Sequence, residues 1–94
     1  MLSLYQITRA AEAVNDRAWE HVLISIRDVR AEILRRWPET TKEEFDESIL
    51  LQAELEYLTL HHHDHPAGVD QATRDAMVKD KYGNYYIGFV LENE

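Results

Sequence analysis

The chain has 94 residues, with 18 acidic against 10 basic side chains, a net charge of −8, 45% hydrophobic residues and no cysteine. That length holds one domain, and that hydrophobic content suits a globule rather than a disordered chain. The charge argues against general binding to nucleic acid or to an anionic membrane, both of which need a basic surface; the absence of cysteine excludes disulfides, a thiolate zinc site and a cysteine nucleophile.

Ser3 followed three residues later by Gln6 is a capping box at a helix start. Leu4, Ile7, Ala11 and Val14 then recur at helical spacing, and Asn15-Asp16 ends the segment, which predicts a short first helix over 3–14. Trp19, Val22, Ile26, Val29 and Ile33 repeat at 3-4-3-4, and Leu23, Leu34 and Trp37 widen the stripe. These positions share about 140° of arc and predict a second helix over 17–37, ended by Pro38. Uninterrupted apolar stretches such as Val22-Leu23-Ile24 fall far short of the roughly 20 residues that span a bilayer. The opening residues lack a basic segment followed by a long apolar one. A soluble, cytoplasmic protein is the expectation.

Thr40 and Thr41 are alternative caps, with Glu43 and Glu44 three residues after them. They predict a third helix over 41–62. With so short a connection the second and third helices become antiparallel neighbours, a long helical hairpin. Pro66-Ala67-Gly68 reads as a loop, and Asp70 as the cap of a short helix over 70–77 with Ala72, Ala76 and Met77 inward. From Val78 to Leu91 the period changes to that of a β-hairpin turning at Gly83-Asn84. Pairing Tyr82 with Tyr85 puts Val78, Tyr82, Tyr85, Ile87, Phe89 and Leu91 on one face and leaves Tyr86 exposed. The predicted class is α+β and mainly helical: one domain with a long antiparallel helical hairpin, a short N-terminal helix and a C-terminal β-hairpin.

Charge is segregated. Residues 1–37 carry six bases and five acids, whereas residues 38–94 carry four bases and 13 acids. Glu43, Glu47 and Glu54 form a line along the third helix. Such a ladder either keeps the surface solvated or docks on the basic groove of a nucleic-acid-handling protein. On the docking reading Glu43, Glu44, Glu47 and Glu54 supply charge, and Trp37, Leu50 or Tyr86 supplies apolar anchors. Arg30 falls within the apolar arc of the second helix and needs a partner. A carboxylate of the third helix such as Glu56 is one candidate; an anion site shared with Arg27 or Arg36 is the alternative.

His61, His62, His63, Asp64 and His65 form the one local chemical cluster. Imidazole suits zinc, nickel or copper, so His61, His63 and His65 are candidate ligands, although no Glu-x-x-His pair accompanies them. No nucleophile–base arrangement and no glycine-rich phosphate loop is present. The expectation is a protein that is not an enzyme and needs no cofactor.

Two resemblances bear on function. His65-Pro66-Ala67-Gly68-Val69-Asp70 resembles the His-Pro-x-Gly-x-Asp stretch of colicin-type nuclease immunity proteins, small acidic helical inhibitors that dock on a basic DNase. Gln71-Ala72-Thr73 stands where that family carries its partner-contacting tyrosines, so no functional residue carries over. Ile26-Arg27, the turn at Pro38 and Ala53 resemble the helical hairpin of phage proteins that sequester cyclic-nucleotide signals. That likeness implies a nucleotide sponge using Arg27, Arg30 or Arg36 at an oligomer interface. In kind the chain also looks like small phage-encoded anti-defence proteins, including anti-CRISPR proteins. The leading expectation is an inhibitor that binds a protein partner with a basic, nucleic-acid-binding surface, with no direct contact to nucleic acid or membrane. Homodimers or larger homo-oligomers are open through the apolar heptads and the hairpin edge. The alternatives are the nucleotide sponge and a small histidine-rich metal-binding protein.

Overall fold

A computed structural model describes residues 2–92. Its elements in chain order are α1 (Leu4–Val14), β1 (Ile24–Ser25), α2 (Ile26–Arg36), α3 (Lys42–Glu54), β2 (Leu58–His62), a 3-10 turn (Pro66–Gly68), α4 (Gln71–Asp75), β3 (Val78–Lys79) and β4 (Tyr85–Leu91). The mixed α+β character agrees with the sequence. The long helical hairpin does not exist, the N-terminal helix is not the short one of the set, being 11 residues long like α2, and the strands form a four-stranded antiparallel sheet instead of a lone hairpin.

α1 starts at a capping box in which Gln6 N–H donates to Ser3 Oγ (3.2 Å) and Ser3 N–H donates to Gln6 Oε1 (2.9 Å). It buries Ile7, Thr8, Ala10 and Ala11. The helix expected over 17–37 begins only at Ile26. Its cap is Ser25, whose Oγ accepts from Asp28 N–H at 3.4 Å. Ahead of it, His21 takes a left-handed conformation (φ 55°). Val22 and Ile24, both β-branched, then favour extended backbone, and Ile24 and Ser25 pair with Phe89 and Gly88.

The helix expected over 41–62 stops at Glu54. Tyr57 N–H donates to Gln52 C=O and Glu56 N–H to Ala53 C=O, both at 3.0 Å, while Glu56 sits at φ 67°. This is a Schellman ending, with a glutamate in the left-handed position that glycine usually fills. Beyond it Leu58 and Leu60 turn inward while Thr59 and His61 are exposed, the two-residue period of a strand. Consequently α2 packs along α1 and against β4 and β1, whereas α3 lies against β2 and β3.

β4 is the centre of the sheet. β2 pairs along one side of it; β1 and β3 share the other, opposite Gly88–Phe89 and Tyr85–Tyr86 respectively. Ile24, Leu58, Val78, Phe89 and Leu91 join Ile7, Ile26, Val29, Ile33, Phe45 and Ile49 in one core. At Gly88 the sheet is too tight for a side chain: an added Cβ would lie 2.7 Å from Ile24 C=O and 2.9 Å from Leu23 Cδ1.

The β3–β4 pairing also departs from expectation. Val78 pairs with Tyr86 and Lys79 with Tyr85, so residues 80–84 form the loop, in place of a two-residue turn at Gly83-Asn84. Tyr82 is consequently 78% exposed and Ile87 38% exposed, outside the predicted apolar face. The carboxylate of Asp80 organises this longer loop. Its Oδ1 accepts from Tyr82 N–H (2.9 Å) and Asn84 N–H (3.0 Å), and its Oδ2 from Asn84 Nδ2 (3.0 Å) and Tyr86 OH (2.8 Å). α4 is shorter than 70–77 and leaves Ala72 exposed.

Two substitutions test these assignments by urea denaturation. Glu56→Gly removes a non-glycine residue from the left-handed position and is expected to stabilise the chain by about 1 kcal/mol. Gly88→Ala forces Leu23 and the β1 backbone aside and is expected to destabilise it by about 2 kcal/mol.

Candidate functional site

Phe45, Ser48, Ile49 and Gln52 define the buried side of α3. At 100° per residue, Glu43, Glu47, Leu50 and Glu54 lie opposite that side, at 4-3-4 spacing. The three glutamates are exposed and Leu50 is half-buried. The stripe runs about 16 Å along the helix.

Along α1, the turn after it and α2, arginines pair with nearby acids. Arg9 pairs with Glu12 (3.8 Å), Arg17 with Glu20 (3.1 Å), Arg27 with Asp28 (3.7 Å), and Arg35 and Arg36 with Glu32 (2.7 and 3.7 Å). The hydrogen bond from Arg35 holds the Glu32 carboxyl below its usual range. Lys42 and Arg30 both pair with Asp46, at 2.7 and 2.9 Å. Among the described residues Glu43, Glu47 and Glu54 form no ion pair. Glu44 differs from them: it is half-buried, its N–H donates to the Thr41 cap (3.1 Å), and its C=O accepts from Ser48 Oγ (2.7 Å).

Arg30 finds its carboxylate on the third helix, but at Asp46 rather than Glu56, which is exposed in the turn after α3. Its guanidinium lies 4.6 Å over the Phe45 ring and also donates to Met77 C=O at 3.3 Å. One cation thereby ties α2, α3 and the residue before β3 together. Arg27, Arg30 and Arg36 line three separate clefts and do not converge on one anion site.

The histidines are likewise spread. His61 and His62 lie on β2, and His63 and His65 follow it. His63 Nδ1 accepts from His65 N–H (3.0 Å). Among the described residues no group of three His, Asp or Glu side chains is placed to hold a metal ion.

Of the expected apolar anchors, Trp37 is half-buried and packs against the core. Tyr86 is not the exposed residue of the hairpin: it also packs on the core, 5.8 Å from the His62 ring, with its hydroxyl tied to Asp80. Burial and that hydrogen bond raise the Tyr86 pKa. At Asp80 partial burial pushes the carboxyl up, but the donors from Asn84, Tyr86 and Tyr82 outweigh it and lower the pKa to about 2. Asp46 and Asp80, the two carboxylates with the most structural work, were not singled out by sequence. The Asp80-x-x-x-Asn84 spacing ahead of a strand was the available signal for the second.

Among the described residues no helix is long and apolar enough to cross a membrane. No family model, curated protein or solved structure matches the chain. The immunity-protein stretch forms the 3-10 turn and the Asp70 cap of α4, beside a sheet that helical family lacks. The helical hairpin behind the likeness to nucleotide sponges is absent.

Asp46→Ala strands the Arg30 cation and is expected to cost about 2 kcal/mol or more in denaturant unfolding. The folded Asp80 carboxyl titrates lower than in the unfolded chain, near 3.9. Its contribution is therefore complete above about pH 4 and is lost as pH falls through about 2. In a thermal-midpoint series from pH 5 to 2, Asp80→Asn is expected to be less stable than wild type at pH 5 and to converge with it towards pH 2.

Proposed function

We propose that this chain is a non-enzymatic acidic binding protein that docks on a basic, nucleic-acid-handling protein through the outer face of α3. The carrying observation is the set of exposed carboxylates of Glu43, Glu47 and Glu54 on one rigid face, none of them in an ion pair among the described residues. Like phosphates on a backbone, carboxylates at fixed spacing meet a basic groove with complementary potential, which raises the association rate and selects against acidic partners. Leu50, seated among them, is half-buried and packs on the core as Trp37 and Tyr86 do, which leaves the carboxylates as the main contacts. This is the manner of action of immunity proteins and of anti-defence inhibitors, including those of the anti-CRISPR kind, reached here through an α+β scaffold.

The test is the simultaneous reversal of Glu43, Glu47 and Glu54 to lysine. The positions are exposed, so the circular dichroism spectrum and melting midpoint are expected to stay close to wild type. Used as bait in lysate of the source organism, the wild-type chain is expected to retain nucleic-acid-handling proteins that added DNA competes away, and the reversed chain to lose them. Identical retention by both baits removes the proposal.

A further inference from the structure

β2 is an edge strand whose guard is an irregularity in its pairing with β4 between His61 and His62. Its hydrogen-bonding polarity follows from two bonds at its ends: Glu92 N–H donates to Tyr57 C=O (3.1 Å) and His63 N–H to Tyr85 C=O (2.8 Å). With the β2–β4 register this directs the backbone groups of Thr59 and His61 toward β4 and those of Leu60 and His62 away from it. Among the described residues the outward groups of Leu60 and His62 have no partner. Leu58–His62 contains no lysine, arginine, proline or acid, the residues that commonly blunt an edge. The other edge of the sheet is protected by its form: β1 and β3 are two residues long each.

A groove of about 480 Å³ runs beside this edge, lined by Ala53, Glu56, Leu58, Thr59, Leu60 and Glu92. Its lining is mixed, apolar at Ala53, Leu58 and Leu60 and polar at Glu56, Thr59 and Glu92, and its charges are carboxylates. Glu92 is fixed by the 2.7 Å bond from Thr59 Oγ1. Leu55 and Tyr57, on either side of the left-handed Glu56, remain 53% and 46% exposed. An open backbone ladder beside a lining of leucines and carboxylates describes a site for strand addition by an extended segment with alternating apolar and basic side chains.

We infer that β2 binds an extended, lysine- or arginine-bearing peptide segment of a partner protein, which joins the sheet as a fifth strand through the backbone of Leu60 and His62. The charge of these carboxylates selects this occupant over a second copy of the chain, since each copy carries a net charge of −8 and the same carboxylates. This surface is distinct from the outer face of α3, and its test does not depend on that face.

The test uses the full chain, labelled with nitrogen-15 and titrated with an acetylated, amidated nonapeptide alternating lysine with valine and threonine. A peptide with glutamate in place of lysine serves as control. The Leu60 and His62 amides are expected to shift and to gain hydrogen-exchange protection, while Thr59 and His61, already paired to β4, change little. Binding is expected to weaken about tenfold in a Glu56→Lys, Glu92→Lys variant and to persist when Glu43, Glu47 and Glu54 are reversed. Three results overturn the inference: no response at Leu60 and His62 at millimolar peptide, equal binding of the glutamate peptide, or protection of Leu60 that rises with protein concentration alone. The last would show a second copy on the edge.

Discussion

The backbone hydrogen bonding of β4 on both of its sides is the constraint from which the rest of the fold follows. β1, β2 and β3 come from three separate stretches of chain and meet only through this strand. To reach it, the chain leaves helix after Glu54 and delays helix until Ile26, at two places where the apolar spacing alone is compatible with a helix. The sheet then takes the hydrophobic surface that two longer helices would have given to each other. Gly88 is where this is tightest, because β1 and Leu23 close over a position with no side chain.

With the helices divided in this way, Arg30 becomes a structural cation rather than an anion receptor. It stacks on Phe45 and bonds to Asp46 and Met77, joining parts of the molecule that the sheet does not join directly. Acids of α1 and α2 have arginine partners, whereas Glu43, Glu47 and Glu54 on α3 and Glu56 and Glu92 beside β2 have no ion pair among the described residues. The first 37 residues carry six bases and five acids and the rest four bases and 13 acids, so the charge is unevenly spread. That makes encounters orientation-dependent before any contact forms.

Signals confined to a few neighbouring residues were legible in the sequence. The Ser3–Gln6 box, the Thr41 cap, the Asp70 cap and the spacing of the outer α3 glutamates can each be read from chemistry acting within one turn of helix. What the sequence concealed was longer in range. Apolar residues at Trp19, Val22 and Leu23 continue the helical period by coincidence, and only pairing with β4 decides that Ile24–Ser25 is strand. Leu55 and Leu58 similarly extend a helical stripe, yet the turn between them rests on a glutamate in a conformation for which glycine is the usual marker. The hairpin register failed for a related reason: Gly83-Asn84 looks like a two-residue turn, while the controlling group is the Asp80 side chain bonding across the loop to Asn84 and Tyr86.

Chain order gives the central strand a temporal consequence. β4 is synthesised after every strand that depends on it, so a growing chain can complete α1 and its contact with α2 while β1, β2 and β3 still have nothing to pair with. Until β4 emerges, the stretches 22–25 and 57–60 hold apolar residues without a sheet, which makes nascent chains the state most exposed to self-association. The folding step that ends this exposure joins residues far apart in sequence, and such closures are slow compared with helix formation.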